Sequence, residues 1–83
     1  MMIGFESAKR EILDWLAETL HVPAAEIDLT KPLPEIGLDS LDAVHMIATM
    51  ESIIRQELPE DVIRRVTCLN DIFDMMRDRM AAA

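Results

Sequence analysis

Apolar positions recur along this chain at helical spacing, with no stretch of strand-like alternation. Over residues 5 to 20, FESAKREILDWLAETL, the side chains of Phe5, Ala8, Ile12, Trp15, Leu16 and Leu20 gather on one side, and Glu11, Asp14 and Glu18 take the other. That predicts an amphipathic first helix. The period is lost in HVPAAEIDLTKPLPEIG. Pro32 and Pro34 are expected to hold this stretch extended, following Pro23 earlier in the same loop. Ile27, Leu29, Leu33 and Ile36 are placed to pin it to a core, and connections of this length are often functional. A second helix is predicted from about Asp39 to Glu57, with Asp39 as its N-cap and Asp42 in the first turn, near the positive end of the helix dipole. Leu58-Pro59 breaks the pattern. Pro59 suits the first position of a short third helix, followed by Glu60 and Asp61, with Val62, Ile63 and Val66 on its apolar side. A last helix begins at Thr67 or Cys68 and buries Leu69, Ile72, Phe73, Met76 and Met80; the terminal Ala81-Ala82-Ala83 is expected to fray. The expected fold is all-α: a small four-helix bundle, three longer helices and one short third helix, with a long loop between helices one and two.

The second helix has more apolar positions than a core requires. Ala43, Met46, Ile47, Met50, Ile53 and Ile54 form one complete stripe. Leu41, Val44 and Ala48 fall on a different face, beside Glu51, Ser52 and Arg55, which are expected to stand in water. Isolated surface apolar residues are ordinary. This group, however, adjoins a serine at the start of a helix, with carboxylates beside it, as a docking surface around a modification point would.

The length, 83 residues, predicts a single domain spanning 1–83 with little room for a deep active site. Eight basic against sixteen acidic residues give a net charge of -8, which disfavours nucleic acid and anionic membrane surfaces and favours partners with basic patches. One cysteine, Cys68, makes no internal disulfide, is read as a small buried residue, and belongs to no metal-ligand cluster. MMIGFESAKRE lacks the pattern of a secretory signal, and no apolar run approaches the roughly 20 residues of a membrane span, so a cytoplasmic protein without membrane insertion, and a monomer, is expected. Met46, Met50, Met75 and Met76 read as helical core, with a plastic cavity for a variable chain as the sharper alternative.

The serine stands in EIGLDSLDAVHM. As a hydrolytic nucleophile Ser40 is poorly placed: Gly37 and Ala43 do not form the G-x-S-x-G elbow, and His45, about 140° around the helix, does not reach it as a base. A calcium loop starting at Asp28 fails too, with Pro32 and Leu33 where a ligand and a glycine belong. A plain cap, an attachment point, and a cofactor-free adaptor using the Leu41/Val44/Ala48 patch remain.

Gly37, Leu38, Asp39, Ser40 and Leu41 match in order the attachment motif of the acyl carrier proteins, which this chain resembles over nearly its whole length. Leu20-His21-Val22 resembles the end of that family's first helix, Glu57-Leu58-Pro59 its acid-apolar-proline step before helix three, and LNDIFDMM the start of its helix four. The resemblance implies that Ser40, flanked by Asp39 and Leu41, carries 4'-phosphopantetheine derived from coenzyme A. The arm's thiol would hold acyl intermediates as thioesters, and the protein would be a substrate and shuttle, not a catalyst. It implies as partners a phosphopantetheinyl transferase, whose basic residues would meet Asp39 and Asp42, an acyl- or aminoacyl-loading ligase or transferase, and downstream acyl-processing enzymes. The expected docking surface for them is the leftover patch of Leu41, Val44 and Ala48, rimmed by Asp39, Asp42 and Glu51. Departures are Leu33 where the family usually has an aromatic residue, His45, Ser52 and Ile53 where acids are common, and Arg64 and Arg65 in helix three. They point to a specialised rather than housekeeping fatty-acid or polyketide-type pathway, or to an aminoacyl carrier served by a dedicated adenylating ligase.

Overall fold

A computed structural model describes residues 3–82. Its helices are α1 (Phe5–Leu20), α2 (Ser40–Ile54), α3 (Val62–Arg65) and α4 (Leu69–Ala82). The all-α expectation holds, with α3 the short one. Ala8, Ile12 and Leu16 of α1 are buried against Ala43, Met46, Ile47, Met50 and Ile54 of α2 and Leu69, Ile72, Phe73 and Met76 of α4. Two cation–π contacts fasten α1 to α4 at the edge of this core: Lys9 Nζ lies 5.3 Å from the Phe73 ring centre, and the Arg77 guanidinium 4.5 Å from that of Phe5. Ile53 and Met80, expected in the buried stripes, and Met75, read as helical core, are only half-buried.

α1 ends because His21 turns left-handed (φ 58°) and the amides of His21 and Val22 both return to the Ala17 carbonyl. The long loop then folds on itself more than the prolines suggested. It holds 3₁₀ turns at Ala24–Glu26 and Leu33–Ile36; of the two prolines expected to extend it, Pro32 does (ψ 141°) and Pro34 sits inside the second turn. Between the turns, Asp28 accepts the amide (2.8 Å) and hydroxyl (2.6 Å) of Thr30, which hold its carboxyl below the usual range, the hydroxyl contributing most. The loop is stitched to the segment ahead of α4: Leu33 N–H donates to the Thr67 carbonyl and Asn70 N–H to that of Leu29, both at 3.0 Å, around an antiparallel bridge of Pro32 with Cys68. Ile27 and Leu33 are buried and Leu29 and Ile36 half-buried, as the pinning positions require.

The remaining boundaries differ from the sequence reading. α2 ends at Ile54, not Glu57, with Arg55 left-handed (φ 57°). Pro59 precedes α3 by three residues; its carbonyl receives the Val62 amide in a turn that launches the helix. Ile63 lies outward, 40% exposed, while Val62 is buried. α4 begins at Leu69, one to two residues late. The Asp71 carboxylate reaches back to the amides of Thr67 (2.9 Å) and Cys68 (3.3 Å), the returning half of a capping box. These bonds, that to Thr67 first, lower the Asp71 pKa. Ala81 and Ala82 are helical rather than frayed; Ala83 lies outside the described residues, as do the first two residues of the N-terminal stretch.

Candidate functional site

The approach to Ser40 is built by local geometry. After the Leu33–Ile36 turn, Gly37 takes φ 94° and its amide closes on the Pro34 carbonyl. Such a φ suits glycine and strains other residues. The reversal drives Leu38 into the core, 1% exposed, a burial the sequence reading missed. Asp39, extended and exposed, then caps α2. Its Oδ1 accepts the Asp42 amide at 2.8 Å, and Asp42 Oδ2 accepts the Asp39 amide at 3.4 Å, forming a reciprocal capping box.

This changes the reading of the serine. Ser40 is the first helical residue, not the cap, and capping is done by Asp39. Its side chain is exposed, on the rim of an open groove of about 550 Å³ between the loop, the start of α2 and the end of α3. Pro32, Leu33, Leu38, Ala43, Ile63 and Val66 give that groove mostly apolar walls. The loop wall and Ile63 were not foreseen as parts of the site. Their signal is in tertiary placement, since α3 has only four residues and no period to read.

The second face of α2 is present as predicted. Leu41 is 63% and Val44 48% exposed, and Ala48 is exposed one turn further on. Val44 and Ala48 share a second groove, of about 370 Å³, with Ile63 of α3. Ile63 therefore borders both grooves. Asp42 is half-buried, at the Ser40 end of this face. Glu51 departs from expectation. It is half-buried, and its Oε2 accepts the Leu58 amide at 2.8 Å instead of standing free in water. Cys68 is half-buried. Among the described residues, no His, Cys, Asp or Glu cluster is arranged to hold a metal ion, and no helix is long and apolar enough to cross a membrane.

The family model for the phosphopantetheine attachment site matches residues 10–76. Relatives named acyl carrier protein include one from Amoebophilus asiaticus, 27% identical over 73 residues that cover 87% of this chain and 91% of the relative. Another, from Phytoplasma mali, is 26% identical over 86% of each chain, and one from Helicobacter acinonychis is 28% identical over 81% of this chain and 87% of the relative. An attachment-site family leaves no place for the cofactor-free adaptor. With the match running from α1 into α4, the chain belongs to the phosphopantetheine-attachment family of acyl carrier proteins, which are carriers and not catalysts.

Proposed function

We propose that Ser40 is the residue that carries 4'-phosphopantetheine, and that the face formed by Leu41, Val44, Ala48 and Ile63 receives the enzymes that load and unload it. The observation that carries this reading is the exposed Ser40 hydroxyl at the first position of α2, freed from capping by Asp39. The residues present fit the group. Backbone N–H groups at a helix start favour a phosphodiester, and Ser40 opens onto an apolar-walled groove. When bound, the group supplies a thiol that holds an acyl unit as a thioester. The chain's own residues anchor, present and recognise: Ser40 Oγ gives the point of attachment, Asp39 fixes the turn that presents it, and Asp39 and Asp42 place negative charge where a transferase with a basic surface docks.

The capping box also accounts for two carboxylates beside a future phosphodiester. Their repulsion is offset by the bonds they make to the helix start. The finer reading is a cytoplasmic monomer of a specialised pathway. His45, Arg64 and Arg65 are all exposed on or next to the docking face, where a purely acidic surface would suit a generic partner set. The mass of the cargo on protein isolated from its own cells decides between an acyl and an aminoacyl load.

The attachment test is intact-mass measurement after incubation with a broad-specificity phosphopantetheinyl transferase and coenzyme A. Wild type should gain one arm, and Ser40→Ala should gain none while keeping its fold. An arm on Ser7 or Ser52 in that variant sinks the assignment.

A further inference from the structure

The link between α2 and α3 is held at a single peptide group. After Arg55 turns left-handed, the chain runs through Gln56 and Glu57 and drops Leu58 into the core, 5% exposed. The peptide joining Glu57 to Leu58 is gripped at both poles. Its N–H donates to Glu51 Oε2 of α2 at 2.8 Å, and its carbonyl accepts Arg79 Nε of α4 at 2.6 Å. An anion meets the positive end of the peptide dipole and a cation the negative end. Charge-assisted bonds of this kind are stronger than neutral ones, and an amide entering the core needs a partner. The next residue is Pro59, whose carbonyl accepts the Val62 amide at 3.1 Å and so launches α3. α3 has four residues and one fully buried side chain, Val62, so its position depends strongly on that launch.

From this geometry we infer that Glu51 and Arg79 are positioning residues for partner docking. They clamp the Glu57–Leu58 peptide and thereby set Ile63 across the groove from Val44 and Ala48. The inference rests on the reading of that face as the docking surface. It gives Glu51 a role distinct from a rim charge: what matters is its acceptor oxygen, not its field. Arg79, in a different helix and away from the patch in sequence, becomes part of the same device.

The experiment uses the full chain and a broad-specificity phosphopantetheinyl transferase with coenzyme A as the docking probe, with amide exchange by NMR as the structural readout. Glu51→Ala should speed exchange of the Leu58 amide by about tenfold or more. It should lower kcat/KM for arm transfer several-fold, with the salt dependence of wild type. Glu51→Gln keeps an acceptor and should restore most of both. Arg79→Met should reproduce the kinetic loss, and the double variant Glu51→Ala/Arg79→Met should lose less than the two singles together, because both hold one peptide. If Gln and Ala are equally impaired and both flatten the salt dependence, Glu51 is a rim charge and the clamp is wrong. If Leu58 exchanges as fast in wild type as in Glu51→Ala, the clamp is wrong as well. Should Glu51→Ala fail to fold, Glu51→Gln against Arg79→Met carries the same decision. Failure of the underlying reading looks different: wild type itself would gain no arm on Ser40, or Val44→Arg would be modified at the wild-type rate.

Discussion

At the scale of single residues, the attachment motif divides its labour. Asp39 shapes the helix start, Gly37 permits the turn before it, and Ser40 is left free to be the attachment point we propose. Asp39→Ala should cost about 1 kcal/mol, lowering the thermal midpoint of a domain this size by about 4–8 °C. Ser40→Ala should leave that midpoint almost unmoved. Equal losses in the two melts would mean that Ser40 shares the capping. Gly37→Ala should cost about 1–2 kcal/mol from its φ of 94°, since the added Cβ meets Leu20 Cδ2 at an ordinary 3.4 Å. Asp71 adds a pH signature. Its folded pKa lies below the ordinary aspartate value because Thr67 and Cys68 amides bind its charged form. Its contribution to stability is therefore complete above the unfolded-state pKa and is lost as pH falls through the folded one. Asp71→Asn should flatten the acid limb of a stability–pH profile; an unchanged limb would deny the carboxylate that role. These features were legible in the sequence to different degrees. Asp39 acts on an amide three residues away, so residue type and spacing reveal its cap; Gly37 was legible only as part of the motif, and its turn comes from a φ that the fold shows. Glu51 acts on an amide seven residues away and Arg79 on a carbonyl twenty-two away, and no periodicity encodes either bond.

At the scale of elements, α2 stands apart because two of its faces are apolar and only one is buried. Met50 is fully buried and Val44 is 48% exposed. Met50→Asp would place a charge without a partner in the core and should unfold the bundle or nearly so. Glu51→Ala, one position on, frees the Leu58 amide and should cost about 1–3 kcal/mol, not the nothing that a solvated side chain would imply. Thermal melts of the two variants separate the faces: a Met50→Asp protein as stable as wild type would mean the core stripe has been misplaced. The stripe was readable because fifteen residues give α2 four turns of period. Its end was not. Arg55, Gln56 and Glu57 favour helix locally, and the Leu58-Pro59 break alone would let it run to Glu57; it stops at Ile54 because Leu58 enters the core with its amide on Glu51. The 3₁₀ turn around Pro34 was hidden for a similar reason. Two prolines signal an extended segment, but Leu33 had to be buried while its amide paired with Thr67, and the chain tightens to do both.

At the scale of the whole molecule, the charge of -8 and the apolar patch act on different steps of an encounter. A net negative protein draws basic partners from a distance, and salt screens that attraction over about 8–10 Å. Once in contact, apolar anchors excluded from water hold the complex, and they respond weakly to salt. On the docking face we propose, Leu41, Val44 and Ile63 are the anchors; Asp39 and Asp42 put negative charge at the Ser40 end, and Arg64 and Arg65 of α3 put positive charge at the other. The two contributions are separable. Val44→Arg keeps the fold, since that side chain is already half in water, and should reduce loading and unloading of protein already modified at Ser40 by about tenfold or more. Asp42→Asn keeps an acceptor for the Asp39 amide, so the capping box survives. It should slow the same transfers by only a few-fold at low salt, and the deficit should close as salt is raised. The measurement is transfer rate against ionic strength for wild type and both variants, with circular dichroism confirming the fold. A Val44→Arg protein served at the wild-type rate at every salt concentration would move recognition off α2, leaving the loop wall of Pro32 and Leu33 or the arginines of α3 as the surface that partners read.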